Sequence, residues 1–458
     1  MSSQTPRESF TSRIGFVLAA AGSAVGLGNL WRFPYLAAQK GGGIFLLLYI
    51  IFAFTFGTSL LITEITIGRK TRQSSVGAYT MMHPKFSFLG ILTALVPTII
   101  LPYYCVIGGW VTKYGFEFLI GNGEKIAKDS EGYFDSFITV TSGGVFQNAE
   151  VWFLIYLALT AVIVLFGVQK GIEKASKILM PLLIILSIAI VIYTFTIPGV
   201  AKGLKYYLLP DFSFIKSFKD VADLLLSTIG QLFYSLSLAM AIMITYGSYM
   251  KKEEDIQKAS LQIAVLDTLI ALFAGLMIIP PIVALSGGDP SQVNAGPGLM
   301  FVTLPKVFVD MPAGRVVGTA FFILVFFAAL TSSISLMEAV VSIVMDKSKL
   351  KRTAATLSVI VVSVILGTLS CLGYGPLAGI QLLGRSFLDF FDFITNSVMM
   401  PVIAISTCVL VGHVIKTDYI KNEVLLSGEV KAEKTYDVMI KWIAIPLLSA
   451  ILLSNLLA

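Results

Sequence analysis

The sequence predicts an all-α integral membrane protein whose chain crosses a bilayer about eleven times. Of its 458 residues, 56% are hydrophobic and only 13% are charged, and the mean hydropathy is +0.86. A soluble chain carries roughly 25% charged residues, so there is too little polar surface here to cover a soluble globule. Apolar runs of about 20 residues, the length of a spanning helix, recur along the whole chain. They are continuous rather than alternating, which favours helices over barrel strands.

Eleven helices are predicted from these runs. In chain order they cover residues 14–38, 43–69, 88–121, 149–168, 173–196, 221–249, 257–286, 312–346, 353–372, 379–413 and 437–457. The first ten form a ten-helix core over residues 14–413, in two sets of five helices at about 14–196 and 221–413. A cytoplasmic N-terminal segment over 1–13 precedes this core, and a cytoplasmic loop with the eleventh helix over 414–458 follows it.

Lysine and arginine residues are concentrated in loops on one side of the predicted bundle. They lie before the first helix and after the second, fourth, sixth and eighth helices. Positively charged loops remain in the cytoplasm. We therefore expect a multi-pass protein of the plasma membrane with its N-terminus in the cytoplasm and, after eleven crossings, its C-terminus outside. Because the basic residues lie in these loops, the net charge of +6 does not indicate nucleic acid as a partner.

Two predicted helices contain residues that are poorly suited to a continuous helix. Residues 21–29 of the first (AGSAVGLGN) include three glycines, and the sixth has Ser235 and Ser237 near its middle. Interruptions at corresponding positions of two halves indicate a transport site between the halves. Small residues at this spacing are also compatible with close helix packing. Asn29 and Arg32 directly after the glycines favour the functional interpretation, because polar groups in a membrane are costly and usually functional.

Acidic and hydroxyl side chains within the apolar runs are candidates for binding a cation. Inserting a carboxylate into a membrane costs roughly 2.5–3.5 kcal/mol of free energy. Each one must therefore bind a cation, accept a hydrogen bond or take up a proton. We expect Asp267 to bind an ion, and Glu64 to cap N–H groups of a broken helix. Whether Asp267 or Glu338 carries a proton stays open. The hydroxyls of residues 331–333 (TSS) could bind a hard cation or merely bond to the preceding helical turn.

Motifs of enzyme active sites are absent from the sequence. It has no P-loop, no HExxH and no GxSxG nucleophile motif, and we therefore predict that it is not an enzyme. A channel would be expected to carry a selectivity-filter motif or rings of charge. Broken helices in two halves favour a transporter that works by alternating access. A cation channel, or a sensor that binds its ligand without translocating it, remains an alternative.

A long string in the first helix resembles a known family. Residues 13–15 (RIG) and 22–34 (GSAVGLGNLWRFP) are similar to the first-helix signature of the neurotransmitter:sodium symporters. Support comes from residues 41–43, Gln231, residues 248–249 and residues 327–333, so the resemblance extends over nearly the whole chain. It implies a 5+5 inverted-repeat transporter fold with the first and sixth helices broken, as in the family's bacterial leucine transporter. Eleven helices resemble a bacterial subgroup of amino-acid transporters.

The resemblance also implies two sodium sites. The first would use the carbonyl of Ala24 and the side chains of Asn29, Ser235 and Asp267. The second would use the carbonyls of Gly22, Val25 and Ala328 and the hydroxyls of Thr331 and Ser332. Chloride-dependent relatives bind an anion near the positions of Tyr49, Gln231 and Ser235. The charge of Asp267, where the leucine transporter has an asparagine, could replace that anion, and we predict chloride independence.

The substrate implied by the resemblance is a hydrophobic or aromatic α-amino acid. Relatives that carry amines without a carboxylate have an aspartate at the position of Gly26. A glycine there leaves room for a substrate carboxylate, which would meet the N–H groups of the broken helix and the Tyr104 hydroxyl. A flexible Met240 favours larger substrates, although it could simply fill core. The predicted substrate-binding residues are Ser23, Ala24, Gly26, Gly28, Ile100, Tyr104, Tyr234, Ser235, Ser237, Met240, Ser332 and Leu336.

Two gates and a hinge complete what the resemblance implies. Arg32 and Asp392 resemble an outer ion pair. Arg7 and Asp346 resemble an inner ion pair, with Tyr249 beside it. In the fifth helix, Gly171 and Pro181 have a spacing that this family links to unwinding of the cytoplasmic end, although a proline in a membrane helix is also commonly just a kink. Together these residues predict a sodium-coupled symporter in a lipid bilayer whose small-molecule substrate is an amino acid.

Overall fold

The computed structural model describes residues 7–139, 144–285, 293 and 296–457. Residues 1–6 of the predicted N-terminal segment lie outside the described residues, as do residue 286 of the predicted seventh helix and residue 458 of the last segment. The described part of the chain contains eight helices long and apolar enough to cross a membrane, and a ninth span if one bent pair of helices is counted as one. The protein is therefore the predicted all-α membrane protein.

Within the described ranges, eleven helical spans occupy the eleven predicted positions, and we label them α1 to α11. Two are broken, namely α1 and α6, and α4 is the shortest of the unbroken spans. We call the side of the bundle on which α1 begins the inner side, and the opposite side the outer side. The spans run as follows: α1 Arg13–Ala24 and Gly28–Gln39, α2 Gly43–Thr71, α3 Pro84–Ile120, α4 Ala149–Leu165, α5 Val168–Thr194, α6 Phe218–Ser235 and Ile242–Tyr249, α7 Ile256–Leu285, α8 Gly314–Ser348, α9 Arg352–Leu372, α10 Phe387–Val414 and α11 Glu433–Leu457.

The largest departures from the predicted boundaries are at the starts of the tenth and fifth helices. The tenth helix begins at Phe387 rather than at residue 379, because Leu382 and Arg385 pair across a tight turn and Ser386 caps the helix through the Asp389 N–H. The fifth helix begins at Val168 rather than at residue 173. The fourth ends before Gly167, whose φ of +80° is a left-handed conformation that stops a helix.

The predicted interruptions are both present. The two halves of α1 meet at an angle of 52°. Between the halves of α6, Ser237, Ala239 and Ala241 have φ values of +53°, +59° and +63°, in the left-handed region that such residues rarely adopt. The two breaks are joined, since the Ser237 hydroxyl donates to the Ser23 carbonyl at 3.0 Å. Glu64 accepts the Ala239 N–H at 2.7 Å, which confirms its predicted capping role.

Packing places the broken helices at the centre of the bundle. The inner half of α1 contacts α5, α7 and α8, while α3 lies along α8. The inner half of α6 crosses α2 so closely that the two backbones touch. A Cβ on Gly68 would lie 1.9 Å from the Ile244 carbonyl oxygen, and a Cβ on Gly247 would lie 2.3 Å from the Ile65 carbonyl oxygen. In its most apolar stretch α8 is 78% buried, against 22% for α11, so α8 is central and α11 peripheral.

Candidate substrate and ion site

A cavity lies at the level of the two helix breaks, between α1, α3, α6 and α8. The structure brings together here every residue predicted for the substrate site. Two further lining residues, Leu27 and Ile242, were not predicted. The sequence could have indicated that both residues line the cavity, because Leu27 lies between two glycines of the break and Ile242 comes two residues after Met240. The lining residues thus come from four spans that are distant in sequence.

One wall of the cavity is polar and depends on a glycine. The Tyr104 hydroxyl oxygen accepts the Leu27 N–H at 3.3 Å, which leaves the tyrosine proton free to donate to a ligand. A Cβ on Gly26 would lie 2.7 Å from the Ser332 hydroxyl oxygen and 2.9 Å from that of Tyr104. Any side chain at this position would therefore clash sterically with the hydroxyls of both Ser332 and Tyr104. The other walls include the buried side chains of Ile100, Met240 and Leu336.

Beside the α1 break lies Asp267 of α7, a fully buried carboxylate. Its Oδ1 accepts a hydrogen bond from Asn29 Nδ2 and another from the Ser235 hydroxyl, both at 2.8 Å. Its Oδ2 accepts the Tyr49 hydroxyl at 2.8 Å. Asn29 Oδ1 accepts the Gly26 N–H at 3.1 Å, so this amide connects the break to the carboxylate. The three side chains predicted for the first sodium site are in direct contact.

The residues compared with the anion site of chloride-dependent relatives have other partners here. Tyr49 and Ser235 both donate to Asp267, as just described. Gln231 donates from Nε2 to the Gly28 carbonyl at 2.9 Å. Two of the three positions therefore surround a negative charge that belongs to the protein, and the third supports the backbone of the α1 break.

A second cluster of oxygens lies where α8 meets the α1 break. The Ser332 hydroxyl is 3.3 Å from the carbonyl oxygens of both Gly22 and Val25, and 3.1 Å from that of Ala328. Thr331 Oγ1 is 3.0 Å from the Ala328 oxygen and 3.1 Å from the oxygen of Phe327. Bonds to the preceding helical turn are thus present, as the simpler interpretation predicted. More oxygens converge here than one hydroxyl proton can satisfy, and such a set suits a hard cation.

The inner ion pair is formed. Arg7 Nη1 lies 2.9 Å and 2.8 Å from the two carboxylate oxygens of Asp346. Its other nitrogens donate to the hydroxyls of Ser248 and Ser342, each at 2.8 Å. The guanidinium also lies over the Tyr249 ring, 5.2 Å from the ring centre. The N-terminal segment is therefore held against α6 and α8, and the inner side of the bundle is closed.

The outer ion pair is not formed, although Arg32 and Asp392 line one vestibule on the outer side. In the described part of the chain Asp392 accepts hydrogen bonds from Tyr103 at 3.1 Å and Asn396 at 2.6 Å, while Arg32 lies over the Tyr234 ring. These partners hold the two charges apart. The vestibule is larger than the cavity at the breaks, with a volume of about 450 Å³ against about 30 Å³. The outer ion pair therefore does not close this vestibule.

Tyr104 and Tyr234 line both the vestibule and the cavity beneath it. They form the boundary between the two spaces. A ligand that enters from the outer side must pass these two rings before it reaches the helix breaks.

Glu338 of α8 has a partner that the sequence did not indicate. This fully buried carboxylate accepts the Tyr249 hydroxyl at 2.7 Å and Nη1 of Arg352 at 2.6 Å. Arg352 begins α9, and by sequence it was only one of several basic residues of a loop. Each of the four membrane carboxylates (Glu64, Asp267, Glu338 and Asp392) is thus held by donors, as burial of a charged group requires.

Gly171 of the predicted hinge packs tightly against α4. Gly171 lies in the first turns of α5, and a Cβ there would be 2.0 Å from the Ile163 carbonyl oxygen of α4. Close packing alone is a sufficient reason for this glycine. Pro181 lies within α5, and its role in unwinding stays a prediction.

Comparison with known proteins agrees with this fold. The sequence profile of the sodium:neurotransmitter symporter family matches residues 7–122 and 122–458. The chain is 34% identical, over 93% of its length, to the sodium-dependent transporter YhdH of Bacillus subtilis (strain 168), of which it covers 91%. It is 31% identical, over 98% of its length, to a sodium-dependent transporter of Haemophilus influenzae (strain ATCC 51907 / DSM 11121 / KW20 / Rd), of which it covers 98%.

Among solved structures, MhsT in complex with L-phenylalanine has a similar fold. Its TM-score is 0.86 and its sequence identity is 37%, with 98% of this chain and 100% of that chain covered. The family profile spans both sets of five helices and both broken spans. The chain belongs to the sodium:neurotransmitter symporter family and is a sodium-dependent symporter.

Proposed function

We propose that this protein imports a hydrophobic or aromatic L-amino acid together with two sodium ions, and that it does not require chloride. The proposal rests on one observation: the cavity at the helix breaks has a polar wall and apolar walls. The break of α1 and the Tyr104 hydroxyl form a polar wall next to Asp267, and Ile100, Met240 and Leu336 form apolar ones. The similar transporter MhsT has been solved with L-phenylalanine, which supports a substrate of this class.

The substrate carboxylate would bind beside Gly26, between the Tyr104 hydroxyl and the backbone of the α1 break. A sodium ion held by Asn29, Ser235, Asp267 and the Ala24 carbonyl would lie next to it. The substrate amine would meet backbone carbonyls of the breaks and the Ser237 hydroxyl. On this arrangement, the substrate completes the ion's oxygen shell, so sodium and substrate should raise each other's affinity by the same factor.

A second sodium would occupy the oxygen cluster around Ser332. The carbonyls of Gly22 and Val25 belong to α1 and its break and that of Ala328 belongs to α8, so an ion there would tie the broken helix to its neighbour. With the N-terminus in the cytoplasm of a plasma-membrane protein, as we propose, each inward charge gains about 2.3 kcal/mol per 100 mV of membrane potential. Ion binding would thus drive uptake against a substrate gradient.

Chloride independence rests on the hydrogen bonds of Asp267. Tyr49 and Ser235 already donate to its carboxylate, so the protein supplies a negative charge near the proposed first sodium. An added anion would have to share those donors with a buried carboxylate and would be repelled by it. The fixed charge therefore makes a bound chloride unnecessary.

Competition binding tests the substrate class. Purified protein in sodium is incubated with radiolabelled L-phenylalanine and an excess of unlabelled competitors. We expect large apolar amino acids such as leucine, tryptophan and phenylalanine to displace the label. Phenethylamine, which lacks the carboxylate, and glutamate and lysine, which carry an extra charge, should not. Displacement by phenethylamine as strong as by phenylalanine would contradict the proposed carboxylate site.

Met240 is expected to set the size of the substrate. Replacing it by phenylalanine would overfill the cavity next to a large side chain, at about 1–3 kcal/mol. We expect the dissociation constants for phenylalanine and tryptophan to rise about 10- to 100-fold, while that for alanine changes little. Met240→Leu conserves volume and serves as the control. An unchanged competition profile for Met240→Phe would mean that this residue only fills core.

A further inference from the structure

The segment that joins α10 to α11 crosses the inner side of the bundle, and we call residues 415–432 the inner linker. Near its start, Lys70 of α2 donates to the Tyr419 carbonyl at 2.9 Å. Near its end, the Gln257 side chain of α7 exchanges two hydrogen bonds with the Lys431 backbone, at 2.9 Å and 2.7 Å. The inner linker is thus attached to α2 and to α7 as well as to its own two helices.

One buried arginine lies at the centre of these contacts. Arg69 is near the end of α2, and its side chain is fully buried. Its Nε donates to Glu423 Oε1 at 3.0 Å, and its Nη2 donates to the Glu423 carbonyl. Its Nη1 donates to the Ser427 hydroxyl at 2.8 Å and to the Glu254 carbonyl at 2.7 Å. The guanidinium therefore joins three segments: the end of α2, the inner linker, and residues 250–255, which we call the α6–α7 connection.

The chemistry of this contact is specific for arginine. Charged side chains are almost never fully buried unless they are paired. A guanidinium carries five N–H groups in a planar fork, whereas a lysine has a single nitrogen. Here the fork meets a carboxylate, a hydroxyl and backbone carbonyls that belong to the inner linker and to the α6–α7 connection. All partners of Arg69 are satisfied only when both segments are in place together.

The α6–α7 connection directly follows the part of α6 that takes part in the inner gate. Ser248 binds Arg7, and α6 ends one residue later at Tyr249. Opening the inner gate separates this end of α6 from α8, which carries Asp346. In the described part of the chain, the side-chain hydrogen bonds and ion pairs that hold the inner linker are with α2, α7 and α11 rather than with α8. The inner linker should therefore follow α6.

We propose that Arg69 is a positioning residue that fastens the inner linker to the α6–α7 connection, so that the two segments move as one body relative to α8 when the inner side opens. The inner ends of α10 and α11, which the linker joins, are then drawn along with α2 and α6. This inference rests on the proposed function, because it is alternating access that requires the inner side to open.

Distances between spin labels, measured by pulsed electron paramagnetic resonance on the full-length protein, test the joint movement. The three native cysteines are buried, so labels attach to cysteines introduced at exposed positions. Glu253→Cys with Glu429→Cys gives the connection–linker distance, and Ser348→Cys with Glu429→Cys gives the α8–linker distance. Each is measured in sodium, in sodium with L-phenylalanine, and in potassium. We expect the connection–linker distance to stay the same, and the α8–linker distance to shift by about 5 Å, the scale of a one-turn movement between packed elements.

Substitution of Arg69 should release the inner linker. In Arg69→Ala the connection–linker distance should broaden and differ between conditions. Arg69→Lys keeps the charge but not the fork, and should be intermediate. Lys434→Ala removes an exposed lysine at the start of α11 and serves as the control, with wild-type distances expected. Glu423→Gln, which removes the charge of the partner but keeps an acceptor oxygen, replaces Arg69→Ala in the measurement if that variant does not fold.

Transport kinetics separate a positioning role from a general loss of stability. The maximal rate of L-phenylalanine uptake, per binding site, should fall about tenfold in Arg69→Ala, which corresponds to about 1.4 kcal/mol on the barrier. The reason is that the linker must then return to its place on its own in every cycle. The concentrations of L-phenylalanine and sodium for half-maximal binding should stay at wild-type values, because the cavity at the helix breaks is not altered.

The outcomes that would overturn the inference differ from those that would contradict the proposed function. A connection–linker distance that shifts between conditions in wild type would overturn the inference alone. Wild-type distances or a wild-type rate in Arg69→Ala would also overturn it alone. An α8–linker distance that stays fixed in wild type under all three conditions would contradict opening of the inner side, and with it both alternating access and this inference.

Discussion

Replacing Asp267 by serine is expected to make transport depend on chloride. The substitution removes the buried negative charge and leaves the donors of Asn29, Tyr49 and Ser235 without their acceptor. Breaking one side of a buried charge arrangement costs about 3 kcal/mol or more, which corresponds to over 100-fold in an equilibrium constant. We expect sodium-driven uptake in chloride-free buffer to fall by at least this factor. Added chloride should restore a large part of it, because the smaller side chain leaves space for an anion.

Uptake by proteoliposomes in chloride or gluconate checks this result. Asp267→Asn keeps the volume but not the charge, so it should lose activity without rescue. Asp310→Ser removes an exposed carboxylate and serves as the control, with wild-type uptake in both anions expected. Uptake by Asp267→Ser that stays high in gluconate would contradict the assigned role of the carboxylate.

Gly26→Ala is expected to abolish substrate binding while the protein remains folded. The added methyl group would lie 2.7 Å from the Ser332 hydroxyl oxygen and 2.9 Å from that of Tyr104, in the space proposed for the substrate carboxylate. Overpacking costs about 1–3 kcal/mol, and a lost charge-assisted hydrogen bond costs about 1.5–3 kcal/mol. Together they should raise the dissociation constant for L-phenylalanine at least 100-fold, measured by sodium-dependent binding.

A glycine with open space around it provides the control for this substitution. A Cβ on Gly379 would meet no atom within 4 Å, so Gly379→Ala should bind phenylalanine like wild type. Thermal unfolding shows whether Gly26→Ala is folded. A folded Gly26→Ala that binds with wild-type affinity would contradict the placement of the carboxylate.

Much of the fold could be predicted because its signals are local. The lengths of the apolar runs predicted the membrane spans, and the glycines and serines within them predicted the two helix breaks. Helix ends were harder, because a single residue decides them: Gly167 ends α4 through its left-handed backbone, and Ser386 starts α10 as a cap. Composition alone placed both boundaries several residues away.

The substrate site was accessible to sequence reasoning because its residues cluster around the two breaks and one motif. The contact between Glu338 of α8 and Arg352 of α9 was not. Arg352 was one basic residue among several until folding brought it to Glu338, fourteen positions away. The sequence also could not predict that Arg32 and Asp392 are unpaired with each other here, because this depends on which of two conformations is populated. States separated by only a few kcal/mol share one sequence.

Uptake of radiolabelled L-phenylalanine into proteoliposomes, with sodium or potassium outside and chloride or gluconate as anion, tests the account most directly. We expect accumulation above the external concentration in sodium, to the same level in both anions, and none in potassium. Sodium-dependent binding without accumulation, or accumulation that requires chloride, would contradict it.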